Sequence, residues 1–326
     1  MASSIKTPRS TFQVDIKEGV MNSRRCFLQF SAAWVASRVI PPARGFASAS
    51  RAQRLHVGAQ TMTWGVPVRP YSHLLEVVGT LAKMHIQGFE TNYMSLEEHS
   101  NHAAESKNYF EARYLQLIAP HCDSRLYDLS EVNWEIDRLR RIAEYSHAMG
   151  ASLFIISGEK LRQNAGQPEP SALATKIAAL NRLGGICHGV GLKFCYHNHA
   201  HEFQELHTEM NAILKDTGPK LVWLNYDVAE PYGYSPAAGE FSATHFRRIA
   251  VYHIKNVKRN REGKLVPAEL GTGLVDIKAV VAPLLASDWE GWLTLERETG
   301  HYPHPAPHPE AFVQRYREYL RQVAGV

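Results

Sequence analysis

From residue 55 onward the sequence alternates short apolar runs with longer amphipathic segments, and this alternation limits the fold more than any other feature. Residues 152–156 form a continuous apolar run of strand length, and Leu55–Gln60 and Ile249–Ile254 are further segments of strand length. Residues 71–85 and 134–149 instead repeat apolar side chains every three or four positions, the spacing of a helix that packs on one face. About eight such strand–helix units follow one another, which predicts a parallel sheet with helices outside it.

The predicted elements can be placed to within a few residues. Strands are predicted at Leu55–Gln60, Gly88–Asn92, Ile249–Ile254 and at residues 114–119, 152–156, 192–196, 221–226 and 292–296. Helices are predicted at residues 71–85, 134–149, 171–188, 276–286 and 309–323. The boundaries rest on periodicity and on turn residues such as Gly150, which follows the second helix in the usual C-terminal position.

The length of the alternating part favours a closed barrel. Residues 50–326 number 277, and a single (β/α)8 TIM barrel typically takes about 250 residues. A doubly wound open sheet is the alternative, but no G-x-G-x-x-G sequence follows the first strand. Three cysteines in this range, Cys122, Cys187 and Cys195, are too few for a disulfide framework. We therefore predict one α/β barrel domain over residues 50–326.

Residues 1–49 have the order of an export signal. Arg24 and Arg25 precede a short apolar stretch at 27–36, and an A-x-A cleavage pattern ends at Ala49. The stretch is too short to span a bilayer, so we expect no stable membrane anchor. Paired arginines are typical of the twin-arginine signal. We therefore expect export by the twin-arginine machinery to the periplasm, with a basic tail or an organelle transit segment as the alternatives.

The net charge of the whole chain differs from that of the predicted domain. The chain carries +4, with a pI near 8.8, which would suit an acidic partner such as nucleic acid. Residues 1–49 hold seven of the Lys and Arg residues and two of the acidic ones, so the remainder has a net charge of −1. We therefore expect no nucleic-acid partner and look instead for a small-molecule substrate.

Metal-capable side chains stand at the ends of four successive predicted strands, from the fifth to the eighth. They are His197, Asp227, His253 and Glu296. Each alone has an ordinary structural explanation, such as a helix N-cap for Asp227. Because the active site of a (β/α)8 barrel lies at the C-terminal ends of its strands, the four should converge. Imidazole and carboxylate ligands together suit Mn²⁺, Zn²⁺, Co²⁺ or Fe²⁺, so we predict one divalent metal.

Motifs in a fixed order resemble the xylose-isomerase-like TIM-barrel superfamily. Within it the chain is similar to the sugar phosphate isomerase/epimerase proteins, relatives of apurinic endonuclease type 2. The motifs span about residues 55–298: Y-H-N-H at 196–199 with Glu202 and Phe203, Asp227 with Val228, H-I-K at 253–255, E-L-G-T-G at 269–273 with Asp276, and G-W-L-T-L-E at 291–296. The resemblance implies a metal held by Asp227, His253 and Glu296.

Two positions depart from the family's pattern. His197 stands where many relatives have glutamate, and Asn256 where the family usually has aspartate. In the family's epimerases two metal-bound glutamates act as acid and base on opposite faces of the substrate. With His197 present, that mechanism lacks one glutamate, and His199 or Glu202 could supply the missing group.

Further residues complete the predicted site. Lys255, beside the seventh strand, could bind a substrate oxygen or stabilise an enediolate, and we group it with Glu296, Glu202 and His199 as catalytic. Four residues are assigned to substrate binding because of their places near strand ends or turns. They are Trp64, Glu90, His121 and Glu269.

These features predict a divalent-metal-dependent sugar isomerase, epimerase or lyase. All three reactions begin with removal of a proton next to a carbonyl, and the metal would hold the enediolate formed. Because sugar phosphates are mainly cytosolic, an exported enzyme should act on an unphosphorylated keto-sugar or glycoside. Two alternatives remain. One is a non-catalytic sugar- or metal-binding barrel, which His197 would permit, and the other is an endonuclease-like phosphodiesterase, which would need a basic face.

Overall fold

The computed structural model describes residues 54–65, 67–164, 166–233, 237–297 and 306–326, so the predicted signal segment lies outside the described residues. Within these ranges eight parallel strands pair in chain order, and β1 pairs with β8 to close the barrel. The strands are β1 Leu55–Gln60, β2 Gly88–Asn92, β3 Gln116–Ser124, β4 Leu153–Gly158, β5 Lys193–His197, β6 Val222–Asp227, β7 Ile249–Ile254 and β8 Gly291–Leu295. The predicted (β/α)8 barrel is confirmed, and the open sheet is excluded.

A helix follows each of these strands. The helices are α1 Tyr71–Lys83, α2 Ala103–Glu111, α3 Val132–Ala148, α4 Pro170–Val190, α5 Thr208–Asp216, α6 Ala238–His245, α7 Ile277–Leu285 and α8 Pro309–Ala324. Sequence periodicity located the five longer or more apolar ones. It missed α2, α5 and α6 because helices of eight or nine residues are too short to show a clear repeat.

The third strand begins and ends later than the sequence predicts. Tyr114, the first residue of the predicted strand, has a φ of 55° and is 93% exposed, so it belongs to the preceding turn. The strand then continues past residue 119 as far as Ser124, and His121 pairs in register with Ile155 of β4. His121 therefore lies inside the strand and not after it. Glu90 likewise lies within β2.

Buried apolar side chains form two layers. Ile118, Ile155, Val251 and Trp292 belong to a cluster inside the barrel, whereas a larger cluster fills the space between strands and helices. Every residue of β2, β4 and β7 is buried. Burial on both faces explains the continuous apolar runs, since parallel strands covered by helices show no polar alternation.

The ends of β5, β6 and β7 share a two-residue pattern in which a tyrosine precedes the polar residue. The pairs are Tyr196 with His197, Tyr226 with Asp227, and Tyr252 with His253. Tyr226 stacks on Phe241 of α6 at 4.5 Å between ring centroids, and the Tyr252 hydroxyl lies 2.9 Å from Ser242 Oγ. Because successive strand residues point to opposite faces, the tyrosines anchor the helices while the following residues face the barrel interior.

Two short antiparallel hairpins extend the loops above the barrel. One pairs Gln163–Asn164 with Gln167–Pro168, and the other pairs Asn256–Arg259 with Leu265–Ala268 directly after β7. In the part of the chain that is described, none of the helices has the length and apolarity needed to cross a membrane. The three cysteines there, Cys122, Cys187 and Cys195, are buried free thiols.

Candidate metal-binding active site

Three of the four predicted ligands converge at the C-terminal end of the barrel. Asp227, His253 and Glu296 are buried, and one ligand atom from each lies within 4.8 Å of the others. Asp227 ends β6 in register with His253 of β7, and Glu296 follows β8. His253 Nδ1 is 3.0 Å from Glu296 Oε2. Strand pairing thus fixes the spacing of this group, which we call the carboxylate–histidine cluster.

The fourth predicted ligand, His197, lies beside this cluster in a group of imidazoles. Its ring centroid is 4.8 Å from that of His253 and 4.9 Å from that of His121. Its Nδ1 is buried and has no hydrogen-bond partner among the described residues. Burial lowers the pKa of His197 well below its usual value, and the charges of His253 and His121 lower it further. His197 is therefore neutral, the form in which an imidazole binds a metal.

These residues fit a divalent cation. His197 belongs to a second close group, with His121 and His253, so the two groups share His253 and contain carboxylate and imidazole donors that suit the transition metals named above. The buried and unpartnered Nδ1 of His197 supports this fit, because a buried polar atom normally has a partner. The four predicted ligands, His197, Asp227, His253 and Glu296, therefore all lie in these two overlapping groups, which could hold a metal ion.

Glu90 connects two of the histidines and is fully buried. Its Oε2 lies 2.8 Å from His253 Nε2, and its Oε1 lies 2.7 Å from His121 Nδ1 and 2.9 Å from Gln60 Nε2. Burial would raise the pKa of Glu90, but the charge of His253 and the hydrogen bond from His121 lower it overall. Both oxygens are thus occupied, and Glu90 orients the histidines where the sequence had predicted contact with substrate.

His253 lies between two carboxylates. Glu296 faces its Nδ1, and Glu90 faces its Nε2, which is also 2.9 Å from Asn225 Nδ2. Burial lowers the pKa of His253, yet the two carboxylates outweigh that effect and raise it well above the usual value. A metal ligand must be neutral, so metal binding would displace a proton from this ring.

Lys255 lies at the edge of the same cluster, as predicted. Its Nζ is 2.7 Å from Asp227 Oδ2, 3.1 Å from Glu230 Oε1 and 3.5 Å from Glu296 Oε2. Burial and the nearby charge of Glu296 together raise the pKa of Asp227 to about 6, although Lys255 opposes the shift. Lys255 therefore offsets the repulsion between the two carboxylates and has an ammonium group within reach of a ligand there.

His199 and Glu202, the two residues that were predicted to replace the missing glutamate, lie next to each other but have different contacts. Glu202 Oε1 accepts a hydrogen bond from the Tyr196 hydroxyl at 2.5 Å, and its Oε2 accepts one from the backbone N–H of His199 at 2.8 Å. Lys176 of α4 lies 3.9 Å away. Glu202 is thus held on the helix side of β5, because it bonds to a tyrosine that faces away from the barrel. His199 remains near the site, with its ring centroid 5.1 Å from that of His197.

Of the other two predicted substrate-binding residues, Glu269 pairs with a helix at the surface and Trp64 lies after β1, as predicted. Glu269 forms a bidentate ion pair with Arg315 of α8 at 2.8 and 3.2 Å, which lowers its pKa and keeps it at the surface. Trp64 lies in the turn after β1, half-buried, with Nε1 3.4 Å from Glu310 Oε1. Contact between Trp64 and a sugar ring remains a prediction.

Sequence reasoning missed Gln60, Asn225 and Glu230, which the structure places in the site. Asn225 stands two residues before Asp227 in β6, and Gln60 ends β1 two residues after Gly58. The two-residue period of a strand puts Asn225 on the same face as Asp227, so this signal was available. Glu230 lies in the loop after β6, where no such period applies.

The fold and the site define a (β/α)8 barrel with a set of ligands for a divalent metal at the C-terminal ends of its strands. Residues 79–323 match the xylose isomerase-like TIM barrel family. The match covers most of the chain, and the chain belongs to this family.

The chain is similar in sequence to inosose dehydratases. An inosose dehydratase from Geobacillus kaustophilus (strain HTA426) is 28% identical over 224 residues, which cover 59% of this chain and 70% of the relative. An inosose dehydratase from Salmonella typhimurium (strain LT2) is 29% identical over 136 residues, which cover 36% of this chain and 44% of the relative.

Solved structures share the fold at lower identity. A D-allulose 3-epimerase from Methylomonas sp. in complex with D-allulose superposes with a TM-score of 0.67 at 16% identity, covering 83% of this chain and 97% of the epimerase. The IOLI protein with a bound zinc atom gives a TM-score of 0.64 at 15% identity, covering 83% of this chain and 98% of that protein. At these identities the likeness shows the fold.

Proposed function

We propose that the protein is a divalent-metal-dependent enzyme that removes a proton from the carbon next to the carbonyl of a keto-sugar or related polyol. The observation that carries the proposal is the convergence of Asp227, His253 and Glu296 in one buried cluster. The names of the relatives agree with it, because loss of water and epimerisation beside a carbonyl can both begin with the same proton removal.

His197, Asp227, His253 and Glu296 hold the metal in this proposal. A bound divalent cation supplies stabilisation of the negative charge that develops on a substrate oxygen. Lys255 Nζ, 3.5 Å from Glu296 Oε2, donates to a second substrate oxygen. His199 is the imidazole beside the ligand set that is left to take up or return a proton. Glu90 keeps His253 and His121 in position through its two oxygens.

The proposal extends to the compartment in which the enzyme acts. The twin arginines Arg24 and Arg25 and the A-x-A pattern ending at Ala49 support export to the periplasm by the twin-arginine machinery. A periplasmic enzyme meets unphosphorylated sugars, so the substrate carries no phosphate. The near-neutral charge of residues 50–326 agrees with a substrate of low charge.

The metal assignment is tested by removing two of its carboxylates separately. Asp227→Ala and Glu296→Ala should each reduce metal content, after loading with Mn²⁺ or Zn²⁺ and gel filtration, from about one ion per chain to background. Glu262→Ala is the matched control, because that side chain is 71% exposed on a hairpin turn. Circular dichroism checks that the variants are folded. Stoichiometric metal in both cluster variants would overturn the assignment.

The reaction is tested by hydrogen exchange. Metal-loaded protein incubated in D₂O with keto-sugars should incorporate deuterium at the carbon next to the carbonyl, as read by NMR. A second candidate function is a non-catalytic barrel that binds sugar and metal, favoured by His197 at a position where many relatives have glutamate. Bound metal without exchange on any keto-sugar would establish that alternative.

A further inference from the structure

A small cavity opens directly beside the carboxylate–histidine cluster. Its volume is about 180 Å³, and Lys255 and Glu296 form the wall that it shares with the cluster. The opposite wall is the hairpin after β7, through Leu265, Val266 and Pro267. Any substrate that reaches Glu296 from this side therefore contacts the hairpin as well.

The charges that line this cavity balance. Among the described residues, Lys255 and Arg297 contribute two positive charges, while Glu230 and Glu296 contribute two negative ones. Lys255 is also committed to carboxylates, at 3.1 Å from Glu230 Oε1. Phosphate and sulfate groups bind where positive charge is in excess, so this lining does not favour an anionic substituent.

The hairpin wall offers hydrocarbon instead of hydrogen-bond partners. Leu265, Val266 and Pro267 present aliphatic side chains, and the Tyr316 hydroxyl in the same lining already donates to the Ala268 carbonyl at 2.5 Å. The Asn256 amide is likewise occupied, since it bonds to the backbone N–H and C=O of Val275. A sugar hydroxyl buried against this wall would lose its hydrogen bonds to water without replacement, which is unfavourable.

We propose that this cavity is a subsite for an apolar group attached to the sugar, so that the substrate class is a glycoside with an apolar aglycone and not a free sugar. The inference rests on the proposed function, because it places the sugar ring at the carboxylate–histidine cluster. The volume of about 180 Å³ is below the roughly 300–1,000 Å³ of sites for drug-sized ligands, so it accommodates one ring or a short alkyl chain. Because C1 of such a glycoside carries the aglycone, the carbonyl must be at another carbon of the sugar ring.

The test compares substrates that differ in the group at C1. The probes are the 2-, 3- and 4-keto derivatives of glucose, of methyl β-glucoside and of phenyl β-glucoside, in the D₂O exchange assay. Burial of a phenyl ring should raise kcat/KM for the phenyl glycoside at least about tenfold over the methyl glycoside. Similar kcat/KM values for all three classes would overturn the inference while leaving the proposed function intact.

Variants of the hairpin wall test whether a preference for the phenyl glycoside arises in this cavity. Val266→Thr and Leu265→Asn keep the side-chain volume but add polar atoms, and each should reduce the phenyl-to-methyl ratio of kcat/KM about fivefold or more. Leu274→Asn is the matched control, because Leu274 is 43% exposed, close to the 39% of Leu265, and does not line this cavity. An equal loss of the ratio in Leu274→Asn would overturn the assignment to the hairpin wall.

A binding measurement separates this inference from the proposed reaction. If no probe exchanges deuterium, the proposed reaction fails, but calorimetry of the metal-loaded protein with phenyl and methyl β-glucosides still tests the subsite. Tighter binding of the phenyl glucoside by about tenfold, reduced in Val266→Thr, supports it. Equal affinity for the two glucosides overturns it.

Discussion

At the scale of single residues, the buried carboxylate of Glu90 determines how two histidines are presented. It bonds to His253 through one oxygen and to His121 through the other, so both of its oxygens have partners in the protein. Carboxylates that orient metal-binding histidines usually matter almost as much as the ligands themselves. Glu90 is such a residue in β2, on the far side of the barrel from β7.

Glu90→Gln should weaken metal binding without removing a ligand. The amide keeps the shape of the side chain but loses the charge that fixes His253, so we expect a Kd for Zn²⁺ about 10- to 100-fold higher. A competition titration against a chelator measures this change. Glu111→Gln, a change at a helix glutamate that is 62% exposed, is the control. An unchanged Kd in Glu90→Gln would show that His253 needs no orienting carboxylate.

The motif suggested a catalytic role for Glu202, but its buried contacts instead affect the stability of the folded protein. Burial raises its pKa, but His201, whose Nε2 lies 3.0 Å from Glu202 Oε1, and the charge of Lys176 lower it overall below the usual 4.5. A group with a depressed folded-state pKa stabilises the protein above its unfolded pKa, and this contribution is lost as the pH falls through the folded value. Its stabilisation is therefore complete at neutral pH and declines below about pH 4.5.

Glu202→Gln should accordingly destabilise the protein in a pH-dependent way. At pH 7 we expect a loss of about 1–3 kcal/mol, because Lys176 and Tyr196 lose a charged partner in a buried place. The difference from the wild type should shrink as the pH falls below about 4.5, measured as the difference in unfolding free energy by urea titration at each pH. Glu144→Gln, on an exposed part of α3, should show no such trend. A difference that is constant with pH would contradict this explanation.

At the scale of elements, the packing of α4 against β6 depends on one glycine. A Cβ at Gly184 would lie 2.6 Å from the backbone oxygen of Leu221, an atom that cannot move without shifting the chain before β6. The next residue, Gly185, has no atom within 4 Å of a built Cβ. Of these two adjacent glycines, only Gly184 therefore has no room for a larger side chain.

Alanine at these two positions should change stability in opposite directions. Gly184→Ala overpacks the contact with Leu221 and should cost about 1–3 kcal/mol of unfolding free energy. Gly185→Ala should gain up to about 1 kcal/mol, because alanine favours the helix and meets nothing. Chemical denaturation of both variants gives the comparison. Stabilisation by Gly184→Ala would show that α4 does not pack this closely.

The elements themselves were predictable where periodicity was strong. The predicted bounds of β1, β2 and β7 agree with the structure to the residue, and β7 is a mainly apolar strand that is buried along its whole length. The strand-end rule also brought Asp227, His253 and Glu296 together, since register in a parallel sheet fixes their neighbourhood. Glu202 and Glu269 lie in the loops after β5 and β7, and the structure pairs them with Tyr196 and Arg315 and not with the carboxylate–histidine cluster. In such loops no period determines which way a side chain points.

At the scale of the whole molecule, barrel closure links the two ends of the domain. β1 at Leu55–Gln60 pairs directly with β8 at Gly291–Leu295, so the barrel cannot close until nearly the whole chain has been made. Asp227, His253 and Glu296 also come from the last three strands. A chain of this topology completes its metal site only in the folded state, and the twin-arginine pathway is the one that exports folded proteins.

The export proposal therefore predicts where a signal variant accumulates. Arg24→Lys combined with Arg25→Lys should leave the protein in the cytoplasm as a folded, metal-binding chain, because the pair is what the pathway recognises. Arg38→Lys, a basic residue outside the pair, is the control and should be exported. Fractionation of a Gram-negative host measures the distribution, and N-terminal sequencing of the periplasmic form should begin at Ser50. Equal periplasmic amounts of the double variant and the wild type would mean that the paired arginines are not an export signal. The barrel closes only when β8 is in place. If the double variant in the cytoplasm binds the metal, the site can therefore assemble before transport.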